Sequence, residues 1–142
     1  MMNLSGKRCL IDTNILVAYI NKVHPFHPKA KKIFLQIIKG DFKPILSSQN
    51  ILELTSVLVH AFKISKKEAL ADVEALIDSH LFEVIYPTSN VLSNFFNLME
   101  KELPLHIVDL FLIATALENR VEVIVTTDKK FKEVKEIGVL VV

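Results

Sequence analysis

The sequence predicts an α/β fold in which helices cover both faces of a parallel sheet. Short apolar runs, which are typical of strands buried on both faces, stand at 8–11, 44–46, 81–86, 122–126 and 139–142. The stretches between them repeat apolar residues at helical spacing. Strands that alternate with helices in this way favour a parallel sheet. Because 142 residues suit one domain, we expect a single domain over residues 1–142.

Composition limits the class of protein. Apolar residues make up 51% of the chain and charged residues 23%, with a mean hydropathy of +0.38, which excludes an intrinsically disordered protein. The sequence has no apolar run of about 18 residues, so a membrane span is not expected. The single cysteine, Cys9, cannot form an internal disulfide, and we therefore expect a reducing, cytoplasmic location.

The net charge of +1 conceals an uneven distribution of charged residues. Residues 1–67 carry 11 Lys and Arg against 3 acids, whereas residues 68–142 carry 6 against 13. The basic first part could bind an anionic partner such as nucleic acid. Alternatively, the two parts neutralise each other across the fold.

In the first half of the chain, residues that begin or end helices set the expected boundaries. A helix is expected at 14–20, directly after the first strand. Pro28, at a favourable first position, and Gly40, just past the end, delimit a second helix. Ser47 or Ser48 caps a third helix, because a serine side chain accepts hydrogen bonds from the free amides of the first turn.

The second half of the sequence predicts three more helices. Ser65 and Glu68 have the spacing of a capping box and open the fourth helix, whose apolar residues at 69, 70, 73, 76 and 77 are expected to face inward. Thr88 is expected to cap a fifth helix that runs to about residue 101 and carries a broad apolar stripe. The sixth helix is expected at 107–119, after Pro104 interrupts the chain.

Four carboxylic acids adjoin apolar segments, and three of them, Asp12, Glu53 and Asp109, stand apart from other charged residues. Asp12 and Asp128 end predicted strands, Asp109 begins a helix, and Glu53 lies within an apolar helix. Each aspartate alone could be a helix cap, a dipole partner or a turn residue. Glu53 is harder to explain, since a buried carboxylate without a partner costs several kcal/mol. Glu83 differs from these four, because its alternation with apolar neighbours is typical of a half-exposed strand.

The predicted topology brings the four acids together. In a parallel α/β sheet, the carboxyl ends of the strands and the N-termini of the following helices share one edge, where ligands bind. Carboxylates that meet there repel one another, and a hard divalent cation relieves the repulsion. We therefore expect a Mg²⁺ or Mn²⁺ site suited to phosphodiester hydrolysis at Asp12, Glu53, Asp109 and Asp128.

Four segments also form a recognisable pattern: IDTNIL at 11–16, EL at 53–54, DLFLIATA at 109–116 and TTDKKF at 126–131. They resemble the PIN-domain family, and most of all its VapC-type ribonuclease toxins. The resemblance implies a metal-dependent endoribonuclease on a three-layer α/β/α fold with a central parallel sheet. Its catalytic and metal-binding residues would be Asp12, Glu53, Asp109 and Asp128, with Asn14 and Thr126 as supporting hydrogen-bonding residues. A further acid that some members carry has no clear counterpart here, so the number of metal ions stays open.

The same resemblance implies partners. The substrate would be RNA, and a VapC-type toxin would have a small antitoxin that binds near the acidic cluster. Homodimers are also implied, and the wide apolar stripe at 91–99 agrees, since one small core cannot bury all of it. Lys29, Lys31 and Lys32 would contact RNA phosphates, or they form an ordinary solvated helix face.

Two other functions stay open on the sequence alone. Asp12 could be the nucleophile of a phosphatase-like enzyme, although that class commonly has a second acid two residues later, where Asn14 stands. The chain could also be a catalytically silent interaction module that keeps the fold. The five histidines lack a surrounding metal-ligand pattern, and we expect them on the surface or in the core.

Overall fold

The computed structural model describes residues 2–142, in which strands alternate with helices as the sequence predicts. In chain order the elements are β1 Arg8–Ile11, α1 Thr13–Ile20, α2 His27–Lys39, β2 Lys43–Ser47, α3 Ser48–His60, α4 Lys66–Asp78, β3 Glu83–Ile85, α5 Val91–Glu100, α6 Ile107–Glu118, β4 Val123–Thr126, a 3₁₀ helix Lys129–Glu133, and β5 Gly138–Val141. None of the helices in this range has the length and apolarity needed to cross a membrane.

All five strands of the described chain form one parallel sheet in the order β3-β2-β1-β4-β5. In the central strand β1, Leu10 pairs with Ile45 of β2 on one side and with Ile124 of β4 on the other. Successive side chains of a strand point to opposite faces. Cys9 and Ile11 therefore pack against α1 to α4, whereas Leu10 packs against α5 and α6. The predicted three-layer α/β/α fold is confirmed.

Three predicted capping residues occupy the expected positions. Gly40 ends α2 with a φ of 75°, which glycine adopts more readily than other residues. Ser47 caps α3, since its hydroxyl accepts from the Asn50 amide while the Asn50 side chain accepts from the Ser47 amide. Ser65 caps α4 by accepting from the Glu68 amide. The cap at Ser47 fixes the start of the helix that carries Glu53.

Two boundaries differ from the sequence prediction. α5 begins at Val91 rather than at Thr88, because the Thr88 hydroxyl accepts from the Asn90 amide and forms a turn ahead of the helix. β3 spans Glu83–Ile85 rather than 81–86. As an edge strand it pairs only with the part of β2 that runs from Ile45 to Ser47.

The inner face of α4 is narrower than its apolar spacing predicts. Ala69 and Val73 are buried, but Leu70 and Ile77 keep 56% and 37% of their surface exposed. α4 packs mainly on α3 at the outside of the helical layer, so only one thin stripe meets the core. Periodicity alone does not show how wide the buried stripe of a helix is.

Candidate functional site

The four acids line one cleft at the carboxyl edge of the sheet. Asp12 follows β1, Asp128 follows β4, Asp109 lies in the first turn of α6, and Glu53 lies in the second turn of α3. The cleft has a volume of about 310 Å³. Its other lining residues are Thr13, Asn14, Val17, His24, Val57 and Phe131.

Asp12 is the most enclosed of the four acids, with 7% of its surface exposed. Its Oδ1 atom accepts a 2.8 Å hydrogen bond from the Thr13 amide and caps α1. Its Oδ2 atom accepts from the Thr126 hydroxyl at 2.8 Å and from the Asn14 side-chain amide at 3.1 Å. Hydrogen bonds on both carboxylate oxygens hold Asp12 in one orientation.

Asn14 and Thr126 connect Asp12 to Asp128. The Asn14 amide also donates to Thr126 Oγ1 at 3.1 Å, and its carbonyl oxygen accepts from the Thr127 amide at 3.2 Å. Thr126 Oγ1 accepts a further 3.1 Å bond from the backbone amide of Asp128. The two polar side chains therefore hold the loop after β4 beside Asp12.

Glu53 contacts two residues that the sequence analysis does not single out. Gln49, one helical turn earlier, donates from Nε2 to Glu53 Oε1 at 3.5 Å and to the Val108 carbonyl at 2.8 Å. These bonds join α3 to the first turn of α6, next to Asp109. The Thr13 hydroxyl also acts on Glu53 and lowers the pKa of its carboxyl.

Asn50 positions Thr13 from within the core. Asn50 has no exposed surface, and its side-chain amide donates to Thr13 Oγ1 at 3.0 Å. Its carbonyl oxygen accepts from both the amide and the hydroxyl of Ser47. This bond holds the Thr13 side chain in place at the wall of the cleft. The spacing of Ser47 and Asn50 is a sequence signal for a helix cap, but nothing local indicates the contact with Thr13.

Burial and mutual repulsion raise the pKa values of three of the acids. Burial, together with the charges of Asp109 and Glu53, raises the pKa of Asp12 to about 6, against the opposing effect of the Thr126 hydrogen bond. Burial also raises the pKa of Glu53, with a smaller contribution from Asp109. The pKa of Asp109 is raised first by burial and then by the charge of Asp128. The ionised site is therefore costly when no cation is bound.

Among the residues that the structure describes, no cationic side chain forms a salt bridge with the four acids. Within residues 2–142 the salt bridges join Arg8 to Glu83 and Lys101 to Glu136, and none of these residues lines the cleft. Carboxylate oxygens without a cationic partner suit a hard divalent ion, so the donor set fits Mg²⁺ or Mn²⁺.

The acidic side chains are not yet arranged around a single point. The described residues contain no group of three or more His, Cys, Asp or Glu side chains that could hold a metal ion as they stand. Glu53, Asp109 and Asp128 are all partly exposed, whereas Asp12 is fixed. A bound ion would therefore require these three side chains to turn toward Asp12.

The structure also places the lysines, Glu83 and the histidine that the sequence analysis considered. Lys29, Lys31 and Lys32 are exposed on α2, and none of them lines the cleft. Glu83 is exposed on β3, as its alternation predicts. Of the histidines, which are expected on the surface or in the core, His24 is half-buried and lines the cleft. No periodic pattern indicates this position, because His24 lies between two helices.

Comparison with known proteins gives the family. The PIN domain profile matches residues 9–137, a range that includes all four acids. The chain belongs to the PIN-domain family. No curated protein matches this PIN domain.

Solved structures of VapBC proteins are similar in fold to this PIN domain. VapBC2 of Rickettsia felis, bound to a DNA fragment from its promoter, has a TM-score of 0.70 and 20% identity, covering 93% of this chain and 96% of that chain. VapBC-1 of nontypeable Haemophilus influenzae has a TM-score of 0.69 and 20% identity, covering 94% and 96%. VapC20 of Mycobacterium tuberculosis, a toxin that cleaves the sarcin-ricin loop, has a TM-score of 0.63 and 15% identity, covering 82% and 86%. At these identities the likeness is one of fold.

Proposed function

We propose that this PIN domain is a metal-dependent endoribonuclease that hydrolyses RNA phosphodiester bonds. The observation that carries the proposal is the set of four acids lining one cleft without a cationic partner within residues 2–142. Carboxylates in such a set oppose one another's ionisation, and a divalent cation removes that cost. A cleft of this kind suits a cation together with an anionic substrate.

Mg²⁺ or Mn²⁺ is the cofactor that the donor set favours. When bound, such an ion polarises a phosphate and makes water a stronger nucleophile. The residues that would hold it are Asp12, Glu53, Asp109 and Asp128. Asp12 would be the central ligand, because three hydrogen bonds already fix its orientation. Asn14 and Thr126 would act by holding Asp12 in place.

RNA is the proposed substrate. A protein of similar fold, VapC20 of Mycobacterium tuberculosis, cleaves the sarcin-ricin loop. In this chain Lys130 lies two residues after Asp128, and its charge acts on Asp109. A cation at that position would favour an anionic strand. Lys29, Lys31 and Lys32, on the exposed face of α2, are proposed as weaker phosphate contacts outside the cleft.

We also propose that the protein is the cytoplasmic toxin of a toxin–antitoxin pair. The solved structures of similar fold include the VapBC proteins above and a toxin–antitoxin complex from Klebsiella pneumoniae. An apolar groove of about 260 Å³, lined by residues that include Leu16, Leu54 and Val73, lies between α1, α3 and α4. It offers an apolar surface to a small antitoxin, and α1 and α3 line both this groove and the acidic cleft.

A homodimer is the proposed assembly. Large apolar side chains on α5 and at the start of α6 remain exposed: Leu92 at 51%, Phe96 at 54%, Ile107 at 60% and Val108 at 53%. Exposed apolar clusters on a small protein often mark interfaces. Pairing of two copies through this surface would remove the cluster from water.

Cleavage of RNA tests the proposed activity. An end-labelled RNA pool of mixed sequence is incubated with the protein in Mn²⁺ and, separately, in EDTA. We expect internal cleavage in Mn²⁺ alone. Equal cleavage in EDTA would contradict a metal-dependent reaction. Absence of cleavage by a folded protein that also binds no Mn²⁺ in calorimetry would favour the catalytically silent module.

The position of Asn14 weighs against a phosphatase with Asp12 as nucleophile. That class commonly uses a second acid two residues later for proton transfer. In this structure the Asn14 amide donates to Asp12 and to Thr126 instead. Hydrolysis of a generic phosphomonoester that survives Asp128→Asn would favour the phosphatase.

A further inference from the structure

His24 reaches the acidic cleft from a tight turn between α1 and α2. Its backbone amide donates to the Asn21 carbonyl at 2.9 Å, and its own carbonyl accepts from the His27 amide at 2.9 Å. Its side-chain Nδ1 accepts a 3.1 Å hydrogen bond from the Phe26 amide. These three bonds fix both the backbone and the imidazole ring of His24.

The hydrogen bond from Phe26 determines which nitrogen of the neutral ring carries the proton. A backbone amide can only donate, so Nδ1 of His24 must offer its lone pair. The proton of the neutral ring is therefore on Nε2. With Nδ1 accepting and Nε2 protonated, the neutral ring has no free lone pair for a metal ion. Among residues 2–142, Nε2 has no hydrogen-bond partner.

The other polar side chains of the cleft already make hydrogen bonds within the protein. Four of the lining residues are carboxylic acids and three are apolar, which leaves Thr13, Asn14 and His24. Thr13 Oγ1 accepts from Asn50, and the Asn14 amide donates to Asp12 and Thr126. The Nε2–H of His24 is a side-chain donor of this cleft that has no partner among residues 2–142 and is free for a ligand.

We propose that His24 binds a phosphate group of the RNA strand through its Nε2–H. This inference rests on the proposed ribonuclease function. A cleft lined by four acids repels an anionic strand, and an N–H donor on its wall supplies attraction without occupying the place of the cation. The fixed ring also lowers the entropy cost of forming the bond.

Two substitutions of His24 distinguish the loss of its Nε2–H donor from the loss of its hydrogen bond to the Phe26 amide. His24→Asn keeps a short side-chain acceptor for the Phe26 amide but has no group at the Nε2 position. His24→Gln places an amide donor near the Nε2 position but gives up the bond to Phe26. His60→Ala, on the exposed end of α3, is the matched control. Steady-state RNA cleavage in Mn²⁺ and thermal melting are measured for the parent and all three variants.

We expect His24→Asn to raise KM about tenfold, equivalent to about 1.4 kcal/mol, with little change in kcat or melting temperature. His24→Gln should keep a KM close to that of the parent. If the parent cleaves RNA and His24→Asn has an unchanged KM, or His24→Gln loses as much as His24→Asn, the proposal for His24 is overturned and the nuclease function stands. A parent that cleaves no RNA overturns both.

Discussion

Thr126 donates a 2.8 Å hydrogen bond from Oγ1 to Oδ2 of Asp12, across 114 positions of the chain. The contact forms because β4 and β1 are parallel neighbours, so the two residues meet at the same edge of the sheet. The same hydroxyl oxygen accepts from the Asn14 side chain and from the Asp128 amide. One buried hydroxyl therefore organises three residues around the cleft.

Replacement of Thr126 by valine removes the hydroxyl and keeps the shape. We expect about tenfold slower RNA cleavage, because Asp12 loses an orienting donor. The free energy of unfolding should fall by about 1–3 kcal/mol, since two amides lose a buried acceptor. Single-turnover cleavage and urea denaturation measure the two effects. Thr126→Ser keeps the hydroxyl and should stay near the parent; equal cleavage by the valine and serine variants would show that this bond does not matter.

Neutral substitutions at the four acids test their shared role. Asp12→Asn, Glu53→Gln, Asp109→Asn and Asp128→Asn should each slow RNA cleavage at least ~10²-fold, or about 2.7 kcal/mol in transition-state stabilisation. Glu83→Gln is the control, because Glu83 pairs with Arg8 away from the cleft. Its cleavage rate should be nearly unchanged. A loss at Glu83 equal to the losses at the other four acids would refute the assignment of the site.

The raised pKa of Asp12 predicts a pH-dependent stability in EDTA. Its folded pKa is about 6, against an ordinary value of 3.8, so the folded state holds the proton more tightly. Ionised Asp12 therefore destabilises the fold above about pH 6, and this penalty shrinks as the pH falls toward about 4. Asp12→Asn lacks the penalty. As the pH rises from about 4 to about 6, the free energy of unfolding of Asp12→Asn should therefore rise relative to that of the parent, by on the order of 2–3 kcal/mol.

Urea denaturation in EDTA across this pH range measures that difference. The asparagine variant also alters the hydrogen bonds from Asn14 and Thr126, which shifts its stability by an amount that does not depend on pH. The informative quantity is therefore the slope of the difference between the two proteins. A difference that stays constant with pH would contradict a raised pKa at Asp12.

The exposed apolar cluster on α5 and α6 predicts self-association. Light scattering should give a dimer at micromolar concentration. Phe96→Glu, on the exposed surface of α5, should shift the protein toward monomers because a charge would be buried in the interface. Leu70→Glu is the matched control, since Leu70 is similarly exposed on α4 outside the cluster. A monomeric parent protein would contradict the proposed homodimer.

Most elements follow from the sequence because they depend on local signals. Gly40, Ser47 and Ser65 act within a few residues of the helix ends that they define. The exposure of Leu70 and Ile77 depends instead on which neighbour α4 meets. That information lies in the packing of the helices and not in their apolar period.

The acidic residues of the site can be predicted from the sequence, whereas the polar residues that support them cannot. The four acids stand out because each adjoins an apolar segment, and charged residues are otherwise absent around Asp12, Glu53 and Asp109. Asn50 does not stand out, since its partner Thr13 lies 37 positions away. His24 does not stand out either, because hydrogen bonds within an irregular turn bring it to the cleft.

Calorimetric titration with Mn²⁺ tests the central claim, that the four acids form one divalent-cation site. The parent should bind Mn²⁺ and gain about 2.7 kcal/mol of stability at a hundredfold excess over Kd. Asp12→Asn should bind much more weakly and gain much less, whereas Glu83→Gln should behave like the parent. Equal Mn²⁺ affinity in the parent and in Asp12→Asn would contradict the claim.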